Sequence, residues 1–225
     1  MLAEFIEVLI NIRKDRYKKE AYMEMCTYLN TDVMFHDNGF ISILERFFQD
    51  DKDESDIKDF FSRLSSGHMI IILSLTYLCD SIFEKTLVFI DEPETHLHPP
   101  LLSTYIRALS FLLRKKNAIA VIATHSPIVL QEVPSNCVTK VERSGGEMSF
   151  RRPDIETFAS GTDQLTREIF GYEIIKTGFY KLLEDNLKRN FDETVKYFDN
   201  KIGFLGQIMI QGLLNRKEGD DNEEN

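Results

Sequence analysis

Two short runs of consecutive apolar residues, 87–90 and 118–123, lie in the middle of the chain. Neither run alternates with polar residues, and both contain β-branched or aromatic side chains, so each predicts a buried strand. A nearly unbroken apolar run from Met69 precedes the first of these runs and predicts a buried helix. A stripe of apolar residues at helical spacing, which follows Pro99 and Pro100, separates the two runs. Helix, strand, helix and strand in this order predict an α/β fold whose parallel sheet is covered on both faces.

The first 60 residues have a different pattern, in which apolar residues recur at helical spacing and no strand is predicted. We therefore divide the chain into a helical segment at 1–60, an α/β lobe at 61–155 and a helical region at 156–225. A hairpin that turns at Gly145 and Gly146 completes the lobe. The acidic end of the chain, KEGDDNEEN, is expected to be disordered. The hairpin carries three arginines that either face solvent or contact DNA or RNA: Arg143, Arg151 and Arg152.

Composition and charge narrow the classes of protein. The chain is 43% hydrophobic and 28% charged, as ordinary soluble globular proteins are, and its net charge of -10 argues against coating of nucleic acid. Its cysteines Cys26, Cys79 and Cys137 lie far apart and have no metal-ligand spacing, which predicts reduced thiols in a cytoplasmic protein. The longest nearly apolar run has 11 residues, from Met69 to Cys79, so no contact with a membrane is predicted.

Polar residues follow both predicted strands directly. Asp91 and Glu92 come after the first strand, and His125 comes after the second. Groups just beyond the carboxyl ends of parallel strands meet at one edge of the sheet. Adjacent carboxylates repel each other unless a cation lies nearby, and Mg²⁺ bound to Asp91 would remove this repulsion. Glu92 would then be available to polarise a water molecule. Phosphoryl transfer requires both roles, one group for the metal and one for the nucleophile. The alternative is a pair of surface acids that begins a loop.

Four motifs in a fixed order resemble the C-terminal half of an ABC-type ATPase head, of the kind found in SMC-like and overcoming-lysogenization-defect ATPases. The signature motif resembles LSSGH at 64–68, and the Walker B segment resembles LVFIDE at 87–92. The D-loop resembles ETHLHP at 94–99, and the strand end with the switch histidine resembles ATHSP at 123–127. The stretches DEPETHLHPP and ATHSPIVLQEVP are also similar to the PtuA-like ATPases of Septu and retron anti-phage systems.

This resemblance implies a P-loop NTPase fold with ATP and Mg²⁺ as cofactors. It implies that Asp91 holds Mg²⁺, that Glu92 is the general base, and that His125 contacts the terminal phosphate. It also implies a head-to-head dimer, in which the signature residues meet ATP held by the partner head and the D-loop histidines lie at the interface: Leu64, Ser65, Ser66, Gly67, His68, His96 and His98. A nuclease or other effector of anti-phage defence is a further implied partner.

One departure from the family concerns the phosphate-binding loop. None of the 11 glycines lies in a GxxxxGK[ST] pattern, so this chain is expected to be half of a head and to be inactive by itself. Two other interpretations remain open. The chain could be a scaffold that binds no nucleotide, or a metal-dependent hydrolase that uses His96 and His98 with Asp91 and His125 as ligands of zinc or manganese.

Overall fold

The computed structural model of the protein describes four stretches of the chain: 2–49, 54–144, 146–176 and 178–223. The chain consists of two compact units. The first unit comprises Met1–Thr139 with Glu156–Thr162, and the second comprises Lys140–Ile155 with Asp163–Asn225. The fold is mostly helical and contains a small parallel sheet, which is consistent with the predicted α/β class.

Five helices begin the first unit: α1 (Leu2–Lys14), α2 (Arg16–Leu29), α3 (Val33–Asp37), α4 (Phe40–Gln49) and α5 (Ser55–Arg63). Two of them start at an aspartate whose side chain accepts hydrogen bonds from the first backbone N–H groups, Asp15 for α2 and Asp32 for α3. Their apolar faces form one core that is rich in fully buried aromatic side chains: Phe5, Tyr22, Phe35, Phe40 and Phe60.

Helices and strands then alternate in the predicted order: α6 (Ser66–Ser81), β1 (Leu87–Asp91), α7 (Pro99–Lys115), β2 (Ile119–Ala123) and α8 (Pro127–Gln131). Strands β1 and β2 pair in parallel, with Leu87 opposite Ile119 and Asp91 opposite Ala123. Both predicted strands and their parallel pairing are therefore confirmed. Two 3-10 turns, Pro93–His96 and Ser135–Cys137, lie in the connections after β1 and after α8.

The prediction that both faces of this sheet are covered is wrong. Side chains of Val88, Ile90 and Ile122 pack against the helical core of the first unit. On the other face Phe89 is 74% exposed and Ile119 is 67% exposed. Successive side chains of a strand point to opposite faces, and this core packs against one of them. An unbroken apolar run predicts that both faces of a strand are covered, but it does not show whether the elements on the second face belong to the same chain.

The second unit contains a hairpin and four helices: β3 (Lys140–Ser144), β4 (Glu147–Arg151), α9 (Thr162–Lys176), α10 (Phe179–Asp185), α11 (Phe191–Tyr197) and α12 (Phe204–Glu223). The antiparallel pairing of β3 and β4 confirms the predicted hairpin, although Gly145 lies outside the described residues. Arg151 forms an ion pair with Glu142 at 2.8 Å. Buried side chains from α10 and α12 make a small core: Tyr180, Leu183, Ile210 and Leu213.

Helix α12 continues to Glu223, and the disorder predicted for the acidic end of the chain stays a prediction. Ile210 and Leu213 are buried and anchor the middle of this helix. Once a helix is nucleated, each further residue adds a hydrogen bond, so the helix extends into the polar residues that follow. Within the described stretches, no helix has both the length and the apolar character that crossing a membrane would need.

Candidate functional site at the ends of the parallel strands

The paired carboxylates lie at the end of β1, where the backbone takes an uncommon conformation. Glu92 has φ 43° and ψ 59°, in the left-handed helical region. Its N–H donates to the Ala123 carbonyl at 2.9 Å, so the pairing of the two strands continues past Asp91. This conformation costs a residue with a side chain about 1–2 kcal/mol. Strain of this kind concentrates at functional sites, which makes Glu92 a candidate on structural grounds too.

His125, just beyond β2, lies beside Glu92. The distance from His125 Nε2 to Glu92 Oε1 is 3.6 Å, and 79% of the histidine side chain is exposed. The expected meeting of the two polar clusters at one edge of the sheet is therefore confirmed. The edge presents a carboxylate that can accept a proton and an imidazole that can contact an anion, both open to an approaching substrate. Their assignment as base and phosphate contact stays a prediction.

Glu94 belongs to the same edge, and sequence reasoning did not single it out. Its Oε1 accepts hydrogen bonds from the Thr124 hydroxyl at 2.8 Å and from the His125 N–H at 2.7 Å. Its Oε2 is buried and has no hydrogen-bond partner among the described residues. The sequence offers only one signal, an acid between Glu92 and the histidines, and that signal does not distinguish Glu94 from a surface residue.

The signature-like residues surround the start of α6. Leu64 is buried and ends α5, while Ser65 is the N-cap of α6 and accepts a hydrogen bond from the His68 N–H at 3.4 Å. Ser65 and Ser66 are both exposed residues at the first turn, and the Ser65 hydroxyl also lies 2.6 Å from the His68 ring nitrogen Nδ1. The unpaired N–H groups of a helix start favour anions, which is compatible with the phosphate contact that the resemblance implies.

Gly67 brings the start of α6 against the 3-10 turn after β1. A Cβ atom at Gly67 would lie 3.1 Å from the carbonyl oxygen of His96 and 3.4 Å from the side chains of Leu97 and Leu101. The close packing therefore requires a residue without a side chain at this position. The backbone conformation does not require a glycine, because the φ of Gly67 is not positive. Thus the signature-like and D-loop-like motifs are in contact within this unit. His96 itself is exposed.

His68 is buried at the first turn of α6, and both of its ring nitrogens have partners. Nε2 lies 3.0 Å from Asp32 Oδ1, and Nδ1 lies 2.6 Å from Ser65 Oγ. The ring of His98 is close to that of His68, with 6.2 Å between the ring centroids. The sequence predicted a helix-start role for His68 and did not connect it to Asp32, which belongs to the helical segment.

The metal cluster proposed for the hydrolase interpretation is not found among the described residues. Among the described residues, one group of three metal-ligating side chains has ligand atoms within 4.8 Å of one another, and it consists of Asp32, His68 and His98. His96, Asp91 and His125 are not part of it. The reason is topological, because the start of α7 carries His98 toward α6, whereas Asp91 and His125 lie at the sheet edge.

The donor chemistry at the sheet edge fits a magnesium nucleotide. Asp91 offers exposed carboxylate oxygens at the end of β1, and Mg²⁺ prefers one or two carboxylates together with water and phosphate oxygens. The sequence has no GxxxxGK[ST] loop, so no lysine of that kind would hold the β- and γ-phosphates from within this chain. The edge therefore has donor groups that could serve a metal ion and a water, whereas the sequence contains no phosphate-binding loop of this type.

Comparison with known proteins agrees with these features. Residues 33–131 match the family model described as "AAA domain, putative AbiEii toxin, Type IV TA system". The chain is also similar to Protein ea59 of Escherichia phage lambda, with 38% identity over 234 aligned positions. That alignment includes 96% of this chain and 45% of the phage protein, so the chain spans less than half the length of this relative. The match over residues 33–131 supports an AAA/P-loop ATPase family for the chain.

Proposed function

We propose that this chain is the half of an ABC-type ATPase head that carries the signature motif, the Walker B segment, the D-loop and the switch histidine. The observation that carries the proposal is the pairing of Glu92 with His125 across the ends of β1 and β2, 3.6 Å apart and exposed. A general base must lie within reach of the water it activates, and a terminal phosphate that is bound to His125 would place its attacking water beside Glu92.

In this function Asp91 binds Mg²⁺, which neutralises charge on the phosphate oxygens when it is bound. Glu92 accepts a proton from the attacking water at its carboxylate. His125 donates a ring N–H to the terminal phosphate. Glu94 holds the backbone of His125 in place through its 2.7 Å hydrogen bond, so it is a positioning residue and not a catalytic one.

The phosphate-binding loop would come from another lobe. The exposed apolar face of the sheet supports this step: Leu87, Phe89, Ile119 and Val121 are each more than half exposed. They form two cross-strand pairs, Leu87 with Ile119 and Phe89 with Val121. Asp91 ends the same row of β1, so a lobe that covers this face brings its phosphates next to the proposed magnesium ligand.

Two heads would then associate through their signature-like motifs. Ser65 and Ser66 are exposed at a helix start, where a phosphate of a partner head can be bound. His96 and His98 are exposed in the D-loop-like segment and would line the same interface. Gly67 supports this arrangement, because its contact with the His96 carbonyl keeps the two segments adjacent.

The proposed setting is the cytoplasm, where ATP hydrolysis controls a toxic effector such as a nuclease. One fact supports the toxic effector: the description of the matching family names a putative AbiEii toxin of a type IV TA system. The proposed partners are the effector and, through it or directly, DNA or RNA. We also propose that the chain is PtuA-like and acts in anti-phage defence.

The test is to compare the chain alone with the chain combined with a lobe that carries a phosphate-binding loop. We expect calorimetry with ATP and Mg²⁺ to detect no binding to the chain alone at micromolar nucleotide, and the combined head to hydrolyse ATP. In that head Glu92→Gln should lower turnover by about 10²–10⁴-fold and leave nucleotide affinity intact. Tight binding by the chain alone would disprove the half-head proposal, and undiminished turnover in Glu92→Gln would place the base elsewhere. A combined head that neither binds nor hydrolyses ATP would favour the scaffold.

A further inference from the structure

A largely buried carboxylate and two histidines converge where three helices begin. Asp32 is the N-cap of α3, His68 lies in the first turn of α6, and His98 is the N-cap of α7. We propose that these three side chains form a binding site for one divalent first-row transition metal ion of the Zn²⁺ class. This proposal does not depend on the ATPase function, because none of its ligands acts on Mg²⁺ or on the water at the sheet edge.

The ligand distances are close to those of a metal centre. Zn–N and Zn–O bonds of about 2.0–2.2 Å place tetrahedral ligand atoms roughly 3.3 Å apart. Asp32 Oδ1 and His68 Nε2 are already 3.0 Å apart, and one ligand atom of each of the three residues lies within 4.8 Å of the other two. His98 is exposed and its side chain makes no capping hydrogen bond, so it can close the remaining distance by a small rotation.

Two of the ligands are already oriented by neighbouring groups. His68 Nδ1 lies 2.6 Å from Ser65 Oγ, so a ring that donates its Nδ1–H to this hydroxyl presents the Nε2 lone pair to a metal. Asp32 Oδ1 accepts hydrogen bonds from the N–H groups of Met34 at 2.9 Å and Phe35 at 3.4 Å. Outer partners of this kind fix the ligands of metal sites in general.

Burial and donor type select the class of ion. The side chains of Asp32 and His68 are only 10% and 8% exposed, so a cation there is shielded from water on one side. His98 is exposed and lies on the open side, which leaves room for a water ligand. Two imidazoles and one carboxylate suit Zn²⁺ and its first-row neighbours, whereas Mg²⁺ and Ca²⁺ favour oxygen ligands.

A bound ion would join parts of the chain that are far apart in sequence. It would hold the start of α3 against the starts of α6 and α7, and therefore fix the signature-like motif relative to the D-loop-like segment. Without the ion, Asp32 and His68 satisfy each other through their 3.0 Å contact, and the third ligand is left outside. The ion is thus proposed to be structural, and no reaction is assigned to it.

The experiment is a Zn²⁺ titration of the purified chain by calorimetry, without an affinity tag and in a Cys137→Ser background that removes the exposed thiol. We expect one Zn²⁺ per chain. Loss of outer partners alone weakens metal sites about 10–100-fold, so His98→Ala should weaken binding at least 10-fold. His96→Ala is the matched control, because it removes an exposed histidine two positions away, and it should leave the affinity unchanged.

Co²⁺ provides a second readout through its visible absorption, which should appear with the wild-type ligands and be lost in His98→Ala. Asp32→Asn keeps an oxygen for the helix cap and should also weaken binding without unfolding α3. Absence of Zn²⁺ binding at micromolar concentrations would overturn the proposal. So would equal affinities of the His98→Ala and His96→Ala variants, provided that circular dichroism shows both to be folded.

Discussion

The carboxylate of Glu94 accepts a hydrogen bond from the backbone N–H of His125 at 2.7 Å. The same oxygen accepts one from the Thr124 hydroxyl at 2.8 Å. The turn after β1 therefore holds the segment after β2, and this link fixes the position of His125 relative to Glu92. In the proposed function Glu94 contacts neither the metal nor the substrate, and yet it sets the geometry of Glu92 and His125, which act on the water and the phosphate.

We expect Glu94→Ala to destabilise the first unit by about 1.5–3 kcal/mol, because hydrogen bonds to a charged acceptor are lost and two donors are left without it. Glu94→Gln keeps an amide oxygen as acceptor and should cost less. Urea unfolding followed by circular dichroism measures both variants. Thr124→Val removes one of the two donors and should cost about 1 kcal/mol. A Glu94→Ala protein as stable as the wild type would show that the hydrogen bonds of Glu94 with Thr124 and His125 do not stabilise the fold.

The adjacency of Glu92 and His125 could be predicted from sequence because it depends on a simple rule. Two parallel strands that pair side by side bring the residues after them to the same edge, whatever the details of packing. The apolar runs before Asp91 and before Thr124 were long and unbroken enough to identify those strands. Helix α7 was predictable because its apolar periodicity is sustained over several turns, and helix α6 was predictable from the length of its apolar run.

The contacts of Glu94 and Asp32 could not be predicted in this way. Glu94 reaches Thr124 only through the 3-10 turn after β1, whose geometry no pattern of apolar residues determines. Asp32 and His68 meet because α3 and α6 pack in one core, and a single sequence holds no signal for that pairing. The open face of the sheet was missed because Phe89 looks the same in sequence whether or not another lobe covers it.

The left-handed backbone at Glu92 predicts an unusual effect of glycine at this position. Glycine adopts φ 43° without strain, whereas alanine retains the cost of about 1–2 kcal/mol. Glu92→Gly should therefore be more stable than Glu92→Ala by about 1 kcal/mol, after allowance for the greater freedom of glycine in the unfolded chain. Thermal and urea unfolding of the two variants check this. The opposite order would mean that the backbone at this position relaxes when the carboxylate is removed.

The three thiols are expected to differ sharply in reactivity. Cys137 is exposed, whereas Cys26 and Cys79 are buried. Burial raises the pKa of the Cys79 thiol to about 11 and raises the pKa of Cys26 well above its usual range, so neither forms thiolate near neutral pH. Titration with a disulfide reagent at pH 8 should detect one fast thiol in the native protein and three after denaturation. The Cys137→Ser variant should lose the fast thiol, and rapid reaction of a second thiol in that variant would contradict the burial.

The close approach of α6 to the turn after β1 makes Gly67 sensitive to its smallest substitution. In Gly67→Ala the new methyl group would lie 3.1 Å from the His96 carbonyl oxygen, which belongs to the backbone and cannot rotate away. We expect a loss of about 1–3 kcal/mol in stability. Gly212→Ala is the control, because no atom lies within 4 Å of its added Cβ and alanine favours a helix by up to about 1 kcal/mol. Equal effects of the two changes would rule out the steric explanation.

The proposed dimer predicts that Ser66 serves the nucleotide of the partner head. Ser66 is exposed at the first position of α6, whereas Asp91 and Glu92 lie at the end of β1. Ser66→Arg should therefore leave the ATP affinity of a single complete head nearly unchanged, because it alters no group that the proposal places at that head's own magnesium or water.

The same substitution should abolish ATP-driven dimerisation and the hydrolysis that depends on it, since a long side chain would block the approach of the partner's phosphate. Ser81→Arg is the matched control, as it adds the same charge to an exposed serine at the other end of α6. Calorimetry measures the affinity, and light scattering measures the mass of the assembly with ATP. If Ser66→Arg lost ATP affinity while its bound heads still dimerised, Ser66 would serve its own head and the signature-like motif would not act across a dimer.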